Sequence, residues 1–150
     1  EIIAFLNKEI PELKVEEDKQ IASEIYSADS TSSHFFTLVI MNPSFNLNQA
    51  TFDVISYNID NYTDKNYRTE SVLVDNKYIM VSVSGFADTP TALEYYRSFD
   101  SAKIVRNTSG STMIAFIISM KNMETLNKDK NPERYRLFFN EKYLKSESKK

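Results

Sequence analysis

The sequence predicts an α+β fold of the ferredoxin-like type, with an antiparallel β-α-β-β-α-β sheet and added C-terminal helices. Four short runs are rich in β-branched and aromatic residues, which is typical of strands. Helical periodicity separates the first run from the second and the third from the fourth, whereas only a tight turn separates the second from the third. This order is that of the split βαβ motif, with strand order 4-1-3-2. A chain of 150 residues is long enough to bury one such core.

The N-terminal residues 1–33 are predicted to lie outside this domain. Residues 1–10 carry apolar side chains at helical spacing, and Pro11 is expected to end that helix. Residues 12–33 are polar and acidic and are interpreted as a connector, with a weak helix around 15–25. The compact domain is therefore expected to begin at His34 and to extend over residues 34–145.

The first strand and helix occupy residues 34–62. The run HFFTLVIM (34–41) is apolar on both faces, so its strand should be central or covered on both sides. Residues 46–62 are predicted to be helical, with Asn46 as N-cap. We interpret Asn58 as a structural hydrogen-bonding residue on the buried stripe of this helix. That stripe comprises Leu47, Ala50, Val54, Ile55 and Asn58.

A hairpin follows, with strands at residues 69–75 and 77–85 joined by a tight Asp75-Asn76 turn. The second of these strands alternates cleanly, and Gly85 should end it in a bulge or a left-handed conformation. One face of this strand carries Ile79, Val81 and Val83, and the other carries Tyr78, Met80, Ser82 and Ser84.

The next helix is predicted to begin at Thr89-Pro90, as N-cap and first helical residue, with Thr91 and Glu94 as a competing capping box. Its buried face comprises Ala92, Tyr95, Tyr96 and Phe99. Residues 100–111 are expected to be irregular.

The fourth strand, residues 112–119, is again apolar on both faces. Ser119 should cap a short helix ending near Leu126, and Asn131-Pro132 should open a last helix. We expect the aromatic side chains of that last helix to cover the second face of the sheet. Those side chains are Tyr135, Phe138 and Phe139, and Tyr143 is predicted to lie on the same side of the helix. The tail 146–150 should fray.

Sequence motifs for catalysis are missing. The chain has no Cys, a single histidine (His34) and two glycines, which leaves no common zinc site and no phosphate-cradling loop. The acidic run Glu16, Glu17 and Asp18 is interpreted as a solvated face. The sequence therefore predicts no enzyme, no cofactor and no metal.

Charge is distributed unevenly along a chain with net charge −3. Residues 1–30 carry eight acidic and three basic side chains, whereas residues 121–150 carry nine basic and five acidic ones. Either two solvated faces happen to differ, or the basic segment meets an acidic partner or the acidic N-terminal segment. A pI near 5.3 argues against a nucleic-acid ligand. No apolar run reaches membrane-spanning length, so we expect any signal peptide or lipid anchor to lie outside this chain.

Two aromatic packing patterns within residues 26–145 carry a family resemblance. The first comprises Gly85, Phe86, Ala92, Tyr95 and Tyr96. The second comprises Phe116, Ile117, Ile118, Ser119, Asn122, Tyr135, Phe138, Phe139 and Tyr143. With these patterns the chain resembles the C-terminal domain of Bacteroidetes tetratricopeptide-repeat proteins of the PorW/SprE kind, which serve gliding motility and type IX secretion.

This resemblance implies a non-catalytic, periplasmic scaffold associated with the outer membrane as part of a lipoprotein. Its partners would be other protein components of an envelope complex, and residues 1–33 would include the end of a helical-repeat region. No cofactor is implied.

The central strand and helix are also similar to SPOR domains, which bind the glycan strands of peptidoglycan. On this alternative, glycan would lie on the sheet face that carries Tyr78, Met80 and Ser82. These three residues are the candidate binding face. A third interpretation, a structural cap that closes a helical-repeat array, needs no ligand.

Overall fold

The computed structural model describes residues 2–28, 32–108 and 110–145, with side chains from residue 13 onward. The chain forms two compact units, Glu1–Ala28 with Asn131–Lys150, and Asp29–Lys130. Residues 131–145 therefore group with the N-terminal helix, whereas the sequence analysis assigned them to the ferredoxin-like domain. The predicted frayed tail, residues 146–150, lies outside the described residues.

The larger unit confirms the predicted α+β ferredoxin-like fold and its strand order. The helices of the chain are α1 (Ile2–Ile25), α2 (Leu47–Asn61), α3 (Thr89–Ser98), α4 (Ser101–Ile104), α5 (Met120–Asp129) and α6 (Pro132–Phe139). The strands are β1 (His34–Ile40), β2 (Arg68–Val74), β3 (Tyr78–Phe86) and β4 (Met113–Ser119). The sheet is antiparallel throughout, in the order β2-β3-β1-β4. The segment predicted to be irregular contains the short helix α4.

The register of the sheet assigns its side chains to two faces. Phe36 of β1 lies opposite Val83 of β3 and Ile117 of β4, and its ring lies 4.9 Å from that of Tyr95 in α3. These residues therefore face the crossover helices. Met80 of β3 lies opposite Val39 of β1 and Val72 of β2, and these residues belong to the second face.

Three of the predicted helix caps are confirmed. The side-chain oxygens of Asn46, Ser119 and Asn131 each accept a hydrogen bond from the backbone N–H three residues on, at 3.0, 3.2 and 3.0 Å. Each bond satisfies one of the backbone donors that a helix start leaves without an intrahelical partner.

The predicted cap of α3 is wrong by one residue. Asp88 is the N-cap, and its carboxylate accepts from the backbone N–H of Thr91 at 2.9 Å and from the Thr91 hydroxyl at 2.6 Å. A carboxylate at a helix start also interacts favourably with the helix dipole, which a threonine hydroxyl does not. Because the Thr91 hydroxyl donates to Asp88, the predicted Thr91–Glu94 capping box is replaced by this bond.

The hairpin and its exit follow the sequence prediction. Asp75 and Asn76 have positive φ angles of 52° and 54°, and Lys77 N–H donates to the Val74 carbonyl at 2.9 Å. Gly85 has φ +117°, and the pairing of β1 with β3 is irregular beside it. A Cβ at this position would lie 3.1 Å from the Tyr67 ring and 3.2 Å from the Asn66 carbonyl oxygen, so glycine is required by both conformation and space.

In the smaller unit, α1 runs through Pro11, so the predicted helix end and the predicted connector are both wrong, whereas the weak helix predicted around 15–25 is present. Proline removes one backbone donor, at a local cost of about 3 kcal/mol. The later turns of α1 pack against α6, with an ion pair of 3.0 Å between Asp18 and Arg134. Beyond the end of α1, the ring of Tyr26 lies 4.8 Å from that of Tyr135. The acidic N-terminal segment thus meets the basic C-terminal one at this ion pair.

Candidate interaction surface

The predicted binding face lies on β3, and most of it is buried. Tyr78 is 2% exposed and Met80 is 5% exposed, while Ser82 is half-buried with its hydroxyl 3.4 Å from that of Thr37. A sugar ring can stack only on an accessible aromatic face. The burial of Tyr78 and Met80 therefore argues against direct contact between these side chains and a glycan. Binding of glycan by this chain stays a prediction.

Tyr78 is held in its neutral form. Burial, together with the nearby carboxylates of Asp75 and Asp129, raises the pKa of Tyr78 to about 12. Its neutral hydroxyl and buried ring are features of a structural side chain rather than of a general acid or base, which works best with a pKa near the operating pH.

Beside these residues is a shallow depression of about 230 Å³. Its walls include Phe35, Val72, Met80, Ser82 and Met123. Pockets for small molecules usually measure about 300–1,000 Å³, so this depression is smaller than a typical ligand site. Met123 belongs to α5, so this helix lies beside the candidate binding face.

The residues that the sequence analysis weighed for catalysis are engaged elsewhere. His34 is buried, and its Nδ1 donates to the Ser32 carbonyl at 2.8 Å. Asp18 binds Arg134, and Glu16 lies 3.7 Å from Lys19. Among the described side chains, those of residues 13–28, 32–108 and 110–145, no group of three or more His, Asp or Glu could hold a metal ion.

Asn58 has the structural role that its place on α2 predicted. It is buried, its Oδ1 accepts a short hydrogen bond from the Tyr95 hydroxyl, and its Nδ2 donates to the Thr69 hydroxyl at 3.3 Å. These bonds connect α2 to α3 and to β2. With the buried Ala50 and Val54 and the Asp53–Arg106 pair, these bonds fix the rotation of α2 about its axis and so determine which face of α2 points outward.

Asp53 is a buried charged residue of α2 that the sequence analysis missed. Its carboxylate accepts from the backbone N–H of Arg106 at 3.0 Å and from the Arg106 guanidinium at 3.0 and 3.3 Å. The two residues are 53 positions apart, and only the folded chain brings them together. The paired charges hold the segment after α4 against the side of α2 that lies away from β2.

The outward face of α2 is unexpectedly apolar. Phe52 and Ile59 are each 60% exposed, and Ile55, which was predicted to be buried, is 38% exposed. The spacing of these residues places them on one side of the helix. We call Phe52, Ile55 and Ile59 the α2 stripe. A solvated helix face normally carries polar side chains, so this stripe is a candidate interaction surface.

The α2 stripe lies beside the free edge of the sheet. Ile55 and Ile59 line a groove of about 300 Å³ together with Tyr62 and Tyr67 and with Thr69 of β2. Among the described residues, β2 pairs with β3 alone, so its other side is a sheet edge. We call the α2 stripe together with β2 the α2/β2 surface.

The two edge strands differ in exposure. In β2, Val72 is 48% and Leu73 is 40% exposed, whereas Phe116, Ile117 and Ile118 of β4 are fully buried. Edge strands commonly carry proline or charged side chains that discourage pairing with another chain. β2 (RTESVLV) has no proline, and its charged residues, Arg68 and Glu70, lie in its first half, before the exposed Val72 and Leu73. Phe52 and Ile59, which are apolar and lie off the predicted buried stripe, were the signal in the sequence for this surface, whereas Ile55 had been assigned to the buried stripe.

Comparison of the chain with protein-family models, with curated proteins and with solved structures finds no match. In the part of the chain that the structure describes, no helix has both the length and the apolar character needed to cross a bilayer.

Proposed function

We propose that this chain is a non-catalytic protein-interaction module. The observation that carries the proposal is the α2/β2 surface, an exposed apolar helix stripe beside an unpaired, proline-free sheet edge. Contiguous exposed apolar surface is typical of interaction sites. Open sheet edges recruit strands from other chains.

The interactions are proposed to take place in the bacterial envelope. The resemblance to the C-terminal domain of PorW/SprE-type tetratricopeptide-repeat proteins supports a periplasmic location. It also supports association with the outer membrane, through an anchor elsewhere in a lipoprotein. The partners would be components of gliding motility and type IX secretion. Most aromatic residues of that resemblance are buried: Phe86, Tyr95 and Phe116 belong to the larger unit, and Tyr135, Phe138, Phe139 and Tyr143 belong to the smaller one. In this proposal they maintain the fold, and the exposed α2 stripe makes the contacts.

A capture experiment tests the proposal. The chain is immobilised and incubated with a solubilised envelope extract of a gliding Bacteroidetes species, alongside an Ile59→Glu variant and a Met120→Glu control. Met120 is also apolar and exposed, but it lies at the start of α5. We expect the wild type and the control to capture motility or secretion proteins and Ile59→Glu to lose them, because a charge on the α2 stripe opposes burial.

Two outcomes would contradict the proposal. Capture of the same proteins by all three forms would remove the α2/β2 surface from the interaction. Recovery of peptidoglycan fragments alone, with loss of binding in a Tyr78→Ala variant, would favour the glycan-binding alternative and would show that the Tyr78 face becomes accessible.

A further inference from the structure

We propose that the α2/β2 surface joins two copies of this chain into a two-fold symmetric dimer, in which β2 of one copy pairs antiparallel with β2 of the other. This inference rests on the proposed function, because it assigns the α2/β2 surface a resting occupant, a second copy of the chain, which an envelope protein would displace from the same surface. The proposed dimer extends the four-stranded sheet into a continuous sheet of eight strands.

If the β2 edge is buried in an interface, its main-chain groups favour a strand as the partner, because water no longer satisfies them. The main-chain N–H and C=O groups on the outer side of β2 form a row that an extended polypeptide satisfies with hydrogen bonds. An apolar helix or a flat surface would leave these groups without partners. The occupant is therefore a strand with exposed main-chain groups of its own, which a second β2 provides.

The α2 stripe supports a partner that also carries an apolar helix. Ile55 and Ile59 share a groove with Thr69 of β2, so the stripe and the edge strand lie on adjoining parts of one surface. A two-fold axis through the paired edges brings the α2 stripe of each copy toward that of the other. Both stripes are then buried together, which an isolated extended peptide would not achieve.

An interface between identical copies must be complementary to itself. In an antiparallel pair, residues opposite each other lie on the same face of the sheet. The two-fold axis must therefore lie midway between the two copies of one β2 residue, which face each other across it. Arg68 and Glu70 lie two positions apart, on the same face, and both are exposed. An axis at Thr69 places Arg68 of each copy opposite Glu70 of the other, giving two opposite-charge pairs. In this register Ser71 and Val72 of β2 lie opposite residues 67 and 66 of the other copy, which precede β2 and run beside Gly85 of β3.

The neighbouring register with the axis at Glu70 is disfavoured, because it places two like charges directly opposite each other. The register with the axis at Ser71 pairs Arg68 with Val74 and Glu70 with Val72 and leaves both charges without a cross-strand partner. Charge complementarity therefore selects the Thr69 axis.

Sedimentation velocity of the whole chain, over about 1–100 µM, tests the dimer and its register. We expect the wild type to become dimeric as its concentration rises. The single changes Arg68→Glu and Glu70→Arg should each weaken the dimer about tenfold, because each turns two attractive pairs into two repulsive ones. The double variant R68E/E70R restores the attraction with the signs exchanged and should dimerise like the wild type. Rescue by the double variant also shows that neither change prevents folding.

The α2 stripe is tested in the same experiment. Ile59→Glu should weaken the dimer at least as much as either single charge change, whereas Met120→Glu should not alter it. A wild type that stays monomeric at the highest concentration would overturn the dimer. Dimers that both single charge changes leave intact, or that the double variant fails to restore, would overturn the proposed register.

Failure of the dimer and failure of the proposed function give different results. A monomeric chain that captures envelope proteins through Ile59 would overturn the dimer and support the proposed function with a strand of a different protein as the occupant. A dimer that captures no envelope protein would support the inference and contradict the envelope role.

Discussion

Replacement of Tyr95 by alanine is expected to lower the free energy of unfolding by about 3–5 kcal/mol, because it removes a large buried side chain from the centre of an aromatic cluster. Six other rings have centroids 4.9–5.8 Å from that of Tyr95. They belong to Phe36, Tyr57, Tyr62, Tyr67, Phe86 and Phe99. Urea unfolding followed by circular dichroism measures the loss.

The matched change Tyr95→Phe keeps the ring and removes the hydroxyl. It leaves the buried Oδ1 of Asn58 without its donor, and we expect a loss of about 1–3 kcal/mol. The alanine variant should therefore be the less stable of the two. Equal stability of the two variants would mean that the hydrogen bond, and not the ring packing, dominates the contribution of Tyr95. A loss below about 1 kcal/mol for the alanine variant would contradict the account of the core.

Stability is expected to fall as the pH rises above 10. The pKa of Tyr78 is raised to about 12 by burial and by Asp75 and Asp129, and burial among other tyrosines raises the pKa of Tyr95 as well. Between pH 10 and 12 the unfolded chain has lost the Tyr78 proton while the folded chain retains it. The unfolded state then binds fewer protons, so the free energy of unfolding decreases as the pH rises.

For Tyr78 alone this decrease is up to about 1.4 kcal/mol per pH unit, and it is complete once the pH passes the folded-state pKa. Urea unfolding midpoints at pH 9, 10, 11 and 12, for the wild type and for Tyr78→Phe, measure this decrease. Lysines and other tyrosines contribute equally to both proteins, so the difference between their midpoints isolates the contribution of Tyr78. The variant should lose less stability than the wild type. Parallel curves would show that Tyr78 ionises in the folded chain as it does in water.

Local signals predicted most of the larger unit and, in the smaller one, the start of α6. Asn46, Ser119 and Asn131 are good N-caps wherever a helix follows, and Asp75-Asn76 tolerates the positive φ angles of a tight turn. The strand order followed from the sequence of elements, because few topologies connect them without crossing.

The errors arose where tertiary contacts override local preference. Pro11 is a strong local stop signal, and the packing of the later turns of α1 outweighs it. The pairing of Asp53 with Arg106 joins two elements far apart in the sequence, and periodicity carries no information about such a pair.

The candidate site was predicted least well. Alternation correctly placed Tyr78, Met80 and Ser82 on one face of β3, but it could not show that this face is largely buried. Conversely, Ile55 was assigned to the buried stripe of α2, because an apolar residue at that spacing is normally in the core. Its exposure depends on the rotation of α2, which is fixed by tertiary contacts such as those of Asn58 and Asp53. The α2 stripe is therefore a property of the folded chain.

Site-specific photo-crosslinking in living cells tests the central claim, that the α2/β2 surface is an interaction surface. A photoreactive benzoylphenylalanine replaces Phe52 on the α2 stripe, and Met120 in a matched control; both residues are exposed. We expect a discrete adduct from position 52 and none from position 120. The adduct has twice the mass of the chain if the partner is a second copy, and another defined mass if the partner is a different protein. Equal labelling at both positions, or no adduct at position 52, would contradict the central claim.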